Sequence, residues 1–186
     1  MDLKKLRDDF PALCEEHPVA YLDNACVTLR PQSVINAISD YYTKTPGCGG
    51  RSVHRYGTTV SKTIAQSRRT LSGFFNAPSV NEIVFTRNAT HSLNQVAKGL
   101  SWEKDDIVLT TDREHNSNLV PWLQLEEEQG VDHRVVPSNP DNTFDLEAFE
   151  RMCSEAGSKL RMVSISQVGL SLIHISEPTR RTPISY

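Results

Sequence analysis

Short β-branched runs that alternate with helical stretches are the feature that most restricts the fold of this chain. The runs follow Asn81, are bounded by turn residues, and are apolar at consecutive positions, as in strands that are covered on both faces. Because helical stretches lie between them, the pattern predicts an α/β fold with a mostly parallel sheet and helices on both faces. The runs are EIVFT (82–86), DIVLTT (106–111), HRVVP (133–137) and LRMVSIS (160–166).

Apolar residues spaced by threes and fours predict the helices. Two apolar stripes precede the runs, and the first of them is opened by Pro31. The last helical stretch has Asp145 as its N-cap and Gly157 just past its end. The stripes are Val34, Ile35, Ile38, Tyr41 and Tyr42, then Val60, Ile64, Leu71, Phe74 and Phe75, and the stretches between the runs are 90–99, 116–130 and 145–157.

The composition argues against several classes of protein. The chain has 186 residues, a net charge of −3 and 23% charged residues, so it suits one ordered domain with a real core. No long basic run indicates nucleic acid, and no segment approaches the ~20 apolar residues of a membrane span. The four cysteines form no CxxC pair, which predicts no metal site and reduced thiols in the cytoplasm. They are Cys14, Cys26, Cys48 and Cys153.

The stretch 170–186 differs in character from the residues before it. Leu170 to Arg180 is similar to one translated frame of a transposase adapter used in sequencing libraries, and Ile184 to Tyr186 is similar to the flow-cell adapter that follows it. The three residues between them, 181–183, correspond in length to the index sequence that separates two such adapters. We therefore expect 170–186 to be a non-native tail. The alternative is a natural amphipathic tail, because several of its first residues are apolar.

Three segments lie where a parallel sheet binds its ligands, or in a comparable loop. In 86–91, helix-start N–H groups and the Thr90 hydroxyl suit a phosphate, although Thr90 could instead be a simple N-cap. In 112–116, His115 could stack on a planar ligand or carry a proton, or be merely solvated. Segment 45–57 holds four of the nine glycines, which indicates unusual dihedrals or a close approach, or else a flexible loop.

Five motifs, in this order and spacing, resemble the front half of a class V aminotransferase, above all its cysteine desulfurase and selenocysteine lyase branch. They are YLDNACVTLRP (21–31), GRSVHRYG (50–57), EIVFTRNATHSLN (82–94), DIVLTTDREHNSNLVPW (106–122) and LRMVSISQVG (160–169). The resemblance implies a truncated type I aminotransferase fold, pyridoxal 5′-phosphate as cofactor, and a homodimer in the intact protein. It also implies that sulfur passes from cysteine to an enzyme persulfide, leaving alanine, with a sulfur-acceptor protein as partner and iron–sulfur cluster assembly as context. The alternatives are a kynureninase-like or other class V enzyme, and an unrelated α/β binding domain.

The same resemblance implies roles for the residues at matching positions. Ala89 and Thr90 resemble the turn that holds the cofactor phosphate, and His115 resembles the histidine that stacks on the pyridine ring and assists proton transfer. The chain departs from the pattern at Asn116, where many relatives have a second histidine, and at His91, where an acidic residue is frequent. The substrate-binding positions that the resemblance implies are Asn24, Ala25, Cys26, His54 and Arg55.

Several groups that this chemistry needs have no match in the sequence. They are the lysine that forms the Schiff base, the aspartate that pairs the pyridine nitrogen, the persulfide cysteine and the arginine that binds the substrate carboxylate. We therefore expect 1–169 to be the incomplete N-terminal part of a class V aminotransferase domain, and the chain as it stands to be inactive.

Overall fold

The computed structural model describes residues 3–13, 20–24 and 26–167. These form two compact units: the first ends at Phe85 and the second begins at Thr86. The first unit is helical. The two apolar stripes form its main helices, α2 (Gln32–Lys44) and α3 (Arg55–Phe74), after the short α1 (Leu3–Asp8). Pro31 is the N-cap of α2, so the helix begins where the sequence predicted.

The second unit contains a parallel three-stranded sheet. Its strands are β1 (Ile107–Thr111), β2 (Asp132–Val136) and β3 (Leu160–Val163). The spatial order is β2-β1-β3, and both neighbours run parallel to β1. This confirms the predicted parallel sheet, because three of the four β-branched runs became strands in one sheet.

The fourth run, 82–86, was wrongly predicted to be a strand. Glu82 ends a 3₁₀ turn, and no strand pairs with residues 83–86 in the described part of the chain. Ile83 keeps an extended backbone, but its carbonyl accepts a hydrogen bond from Nε of Arg68, at 3.3 Å, instead of joining a ladder. The Arg68 guanidinium also lies 5.2 Å from the centre of the Phe85 ring. Local propensity favoured a strand here, but a strand forms only where a neighbouring strand pairs with it.

Three helices accompany the sheet, close to the predicted ranges. They are α4 (Ala89–Gly99), α5 (Val120–Gln129), preceded by a 3₁₀ turn at Asn116–Asn118, and α6 (Leu146–Ala156). Both predicted ends of α6 are confirmed. Oδ1 of Asp145 accepts from the Ala148 N–H at 2.8 Å, and Gly157 follows the helix with a positive φ of 52°.

Side chains of β1 enter two hydrophobic clusters, because successive residues of a strand point to opposite faces. Val108 lies in a cluster with α4 and α5, whereas Ile107 and Leu109 lie in a cluster with α6. Helices therefore cover both faces of the sheet, as predicted. Cys153 is half-buried and packs against the second cluster. The remaining buried members are Ala97, Trp122, Leu125 and Val131 in the first cluster, and Val136, Ala148 and Ala156 in the second.

None of the helices in the described ranges has both the length and the apolar character of a membrane span.

The contact between Thr110 and His133 predicts how the free energy of unfolding depends on pH. Nε2 of His133 lies 2.9 Å from Oγ1 of the fully buried Thr110, and burial lowers the pKa of the imidazole below its ordinary value. The unfolded chain therefore binds a proton more readily than the folded chain does. This histidine's stabilising effect is complete above the ordinary pKa, about 6.5, and decreases as the pH falls below it.

We expect the free energy of unfolding to be lower at pH 5.5 than at pH 7.5, and the difference to be smaller in His133→Gln. Urea unfolding at both pH values measures it. An unchanged difference in the variant would show that His133 does not carry this pH dependence.

Candidate active site

The carboxyl end of β1 leads into the loop that carries His115. This is the edge at which parallel sheets bind ligands. His115 is exposed and caps the 3₁₀ turn at Asn116–Asn118, where its Nδ1 accepts from the Ser117 N–H at 3.1 Å. The same Nδ1 lies 2.9 Å from Oγ of Ser117, whose hydroxyl can also donate to it, so these hydrogen bonds favour the neutral ring with its proton on Nε2.

The start of α4 is capped by Asn88 and not by Thr90. Oδ1 of Asn88 accepts from the His91 N–H at 2.8 Å, whereas Thr90 is the second residue of the helix and is exposed. The alternative in which Thr90 is the N-cap is therefore wrong. The first N–H groups of a helix have no acceptor within it, so those of Ala89 and Thr90 can bind an anion together with the exposed hydroxyl.

His91 completes the cap of α4 from the other direction. Its Nδ1 accepts from the backbone N–H of Arg87 at 3.3 Å, while its own N–H is bound by Asn88. This arrangement resembles a capping box, except that the third helical residue bonds the N–H of Arg87, one residue before the N-cap, and not that of the N-cap itself. His91, at the position where the sequence motif frequently has an acidic residue, thus still provides a side-chain hydrogen-bond acceptor.

The elements that carry Thr90 and His115 are neighbours within the second unit. α4 packs against the 3₁₀ turn that His115 caps and against α5. The roles of Ala89, Thr90 and His115 toward a cofactor stay predictions.

A residue that the sequence reasoning missed, Glu114, joins three segments at this edge. Its carboxylate accepts from Oγ1 of Thr111 at 2.8 Å, Nδ2 of Asn118 at 2.7 Å, and both the N–H and the Oγ of Ser166 at 2.9 and 2.6 Å. Burial of the carboxyl group raises its pKa, but these hydrogen bonds outweigh burial and hold the pKa below the ordinary value. No local signal identified this residue, because Ser166 lies 52 positions away in sequence.

The glycine-rich segment in the first unit is folded onto the start of α3. Gly50 has a φ of 85°, and its N–H donates to Oγ of Ser61 at 2.8 Å. A Cβ on Gly57 would lie 2.5 Å from Cβ of Ser52. The predicted unusual dihedral and close approach are therefore both confirmed, at different glycines.

The predicted substrate-binding residues that the structure describes all belong to the first unit. His54 is the N-cap of α3, with Nδ1 accepting from Gly57 N–H at 3.4 Å, and Arg55 is the exposed first residue of that helix. Asn24 and Cys26 are exposed. Ala25 lies outside the described residues. The proposed contacts of these side chains with a substrate stay predictions.

An exposed histidine at the carboxyl edge of a parallel sheet, in a loop whose 3₁₀ turn packs against α4, is typical of ligand-binding α/β proteins, and comparison identifies the family. The family model for Aminotransferase class-V matches residues 20–171. This chain belongs to the class V aminotransferase family, so the alternative of an unrelated α/β binding domain is wrong.

Relatives and solved structures agree with this assignment. A probable cysteine desulfurase of Streptomyces coelicolor is 32% identical over 179 residues, which cover 90% of this chain and 43% of that protein. The apo cysteine desulfurase of Thermococcus onnurineus NA1 has a TM-score of 0.79 at 31% identity, over 92% of this chain and 42% of that one. These neighbours confirm the predicted fold class. The chain spans about two fifths of the length of these relatives.

A C–S lyase is also similar in structure. Two structures of C-DES have TM-scores of 0.71 and 0.73 at 27% and 25% identity, and they cover 88% and 89% of this chain and 41% and 42% of theirs. In one, glycine is covalently linked to the PLP cofactor. The other is the complex of this cystine C–S lyase with its reaction product, cysteine persulfide.

The capping geometry at α4 yields a paired prediction. Asn88→Ala should lower the free energy of unfolding by about 1 kcal/mol, because the cap of α4 is lost. Thr90→Ala is the matched control and should change it by only a few tenths, since its hydroxyl is not the cap. Urea unfolding followed by circular dichroism compares the two, and equal losses would contradict the assignment of the cap.

Proposed function

We propose that this chain is the front part of a pyridoxal-phosphate-dependent cysteine desulfurase, which converts L-cysteine to L-alanine and holds the sulfur as an enzyme persulfide. The observation that carries the proposal is the exposed His115 at the carboxyl edge of the sheet, in a loop whose 3₁₀ turn packs against the helix that begins at Ala89 and Thr90. Family membership and relatives that are named cysteine desulfurases support it.

The start of α4 and the loop of His115 fit the chemistry of the cofactor. A phosphate dianion suits the N–H groups of Ala89 and Thr90, which point out of the positive end of α4, and the Thr90 hydroxyl adds one more donor. The planar, exposed ring of His115 suits stacking on a pyridine ring. When bound, the cofactor supplies an electron sink for carbanion chemistry on the substrate. His115 would orient the ring and hold a proton on Nε2 beside the substrate carbon.

The first unit is proposed to contribute the substrate-binding side of the site. Asn24, Ala25 and Cys26 would border the substrate, and His54 and Arg55 would lie near it, in the same subunit or in the partner of a homodimer. A sulfur-acceptor protein and a role in iron–sulfur cluster assembly belong to this proposal for the intact protein. The free thiols of the described part of the chain, such as Cys48, suit the reducing cytoplasm that we propose as its location.

A second candidate is a C–S lyase of the same family, because C-DES shares the fold. The two functions differ in substrate and product. A desulfurase forms alanine from cysteine, whereas the C–S lyase forms cysteine persulfide from cystine. A kynureninase-like enzyme is the remaining class V alternative.

The native boundary at Gly169 is also a proposal. Residues 170–186 lie outside the described residues, and the family match ends at residue 171, within the first two residues of the adapter-like tail. Extending the reading frame in DNA of the source organism should replace the tail with sequence that contains a histidine–lysine pair and, for a desulfurase, a later loop cysteine. A parent gene that encodes 170–186 unchanged would overturn the assignment of the tail.

The chain as it stands should not desulfurate cysteine. The lysine and the persulfide cysteine that the chemistry uses as covalent partners have no match in it. Sulfide release from cysteine by the purified chain should equal that of free pyridoxal 5′-phosphate at the same concentration. Release above this background would contradict the prediction.

Substitutions in the intact enzyme separate the two cofactor contacts. Thr90→Ala should weaken cofactor binding about tenfold, the effect of losing one hydrogen bond to a charged group. His115→Ala should change the absorbance of the bound cofactor and slow turnover more than it weakens binding. The matched control Thr63→Ala, on exposed α3 surface, should bind the cofactor normally. Wild-type binding in Thr90→Ala together with wild-type absorbance in His115→Ala would refute the proposed contacts.

A further inference from the structure

Residues that hydrogen-bond to Glu114 lie on both sides of His115 along the chain. One partner, Thr111, is the last residue of β1, and another, Asn118, closes the 3₁₀ turn that His115 caps. The third partner, Ser166, follows β3 and donates twice. Glu114 itself directly precedes His115. The backbone is thus held on both sides of the histidine and tied to the neighbouring strand.

This arrangement is anchored in the core through Asn118. Oδ1 of this buried amide accepts from Nε1 of the fully buried Trp122 at 3.2 Å and from Oγ of Ser164, and its Nδ2 donates to the Ser164 carbonyl at 3.1 Å. Glu114 therefore holds the loop against groups that cannot shift without disturbing the packing between α5 and the sheet.

From this geometry we infer that Glu114 is a positioning residue, which fixes the backbone and the ring tautomer of His115 at the carboxyl edge of the sheet. The tautomer follows from the backbone because Nδ1 of His115 accepts from the Ser117 N–H only while the turn at Asn116–Asn118 is formed. The inference rests on the proposed function for the catalytic use of His115, but the positioning itself does not require a cofactor.

The four donor groups that face Glu114, from three residues, explain why this position needs a carboxylate. Each partner is a donor: a threonine hydroxyl, an amide NH₂, a backbone N–H and a serine hydroxyl. Only an ionised carboxylate offers two oxygens that accept and no group that donates. A glutamine would bring an NH₂ against donors and leave part of this set unsatisfied. The lowered pKa of Glu114 agrees, because hydrogen bonds from these donors, which outweigh burial, stabilise the ionised carboxylate.

The test compares the tautomer of His115 in the isotope-labelled, cofactor-free chain by long-range ¹⁵N–¹H correlation, at a pH where the ring is neutral. The wild type should show the Nε2–H form almost alone. Glu114→Gln should shift His115 toward the mixture found in an unfolded reference peptide, and Glu114→Asp should retain more of the wild-type form. The matched control, Glu127→Gln on the exposed surface of α5, should match the wild type. A wild-type tautomer in Glu114→Gln would overturn the inference.

A milder variant keeps the inference falsifiable if Glu114→Gln does not fold. Ser166→Ala removes one of the four hydrogen bonds and keeps the backbone donor. It should move the tautomer of His115 in the same direction but less far. A wild-type tautomer in a folded Ser166→Ala chain, with Glu114→Gln unfolded, would assign Glu114 a structural role only and overturn the inference.

Cofactor titration of the intact enzyme distinguishes this inference from the proposed function. Glu114→Gln should alter the absorbance of bound pyridoxal 5′-phosphate as His115→Ala does, while the affinity that depends on Thr90 changes less than twofold. If the wild-type intact enzyme does not bind the cofactor, the proposed function fails, and the tautomer still decides on Glu114. If it binds and Glu114→Gln has the wild-type spectrum, the inference fails alone.

Discussion

Burial of β1 between two layers of side chains is the constraint on which the second unit depends. Val108 and Leu109 are adjacent, point to opposite faces and are both fully inaccessible to solvent. Each fully buried side chain of this size contributes about 1.5–3 kcal/mol relative to exposure. Because both faces of β1 are occupied, the helices must lie on opposite sides of the sheet, and their connecting loops must meet the strands at its edges. The loop of His115 owes its place to this geometry.

The same constraint explains which parts of the fold were predictable from sequence. DIVLTT became a strand because its apolar character on both faces reflects burial on both faces, and the ends of α6 were predictable because Asp145 and Gly157 act on their own helix. The run 82–86 has a similar composition, yet pairing requires a neighbour that the run does not specify. Its backbone carbonyl is instead satisfied by Arg68.

The candidate site shows the same division between local and distant information. The motif around His115 placed the histidine at a strand end, as observed. The sequence left open whether Thr90 caps α4, and the cap is Asn88, because both are capable cap residues and only the backbone decides between them. Glu114 was missed altogether. Its partner Ser166 lies on another strand's continuation, and an acidic residue in a polar loop resembles any solvated one.

The link between Glu114 and Ser166 also orders the events of biosynthesis. The two residues are 52 positions apart, and a ribosome that adds about 5–20 residues per second needs roughly 3–10 seconds to pass from one to the other. During that interval β1 and Glu114 have been synthesised, but Ser166 has not. The loop of His115 therefore cannot take its final shape until the chain has been made through Ser166, when the third strand can dock beside the first.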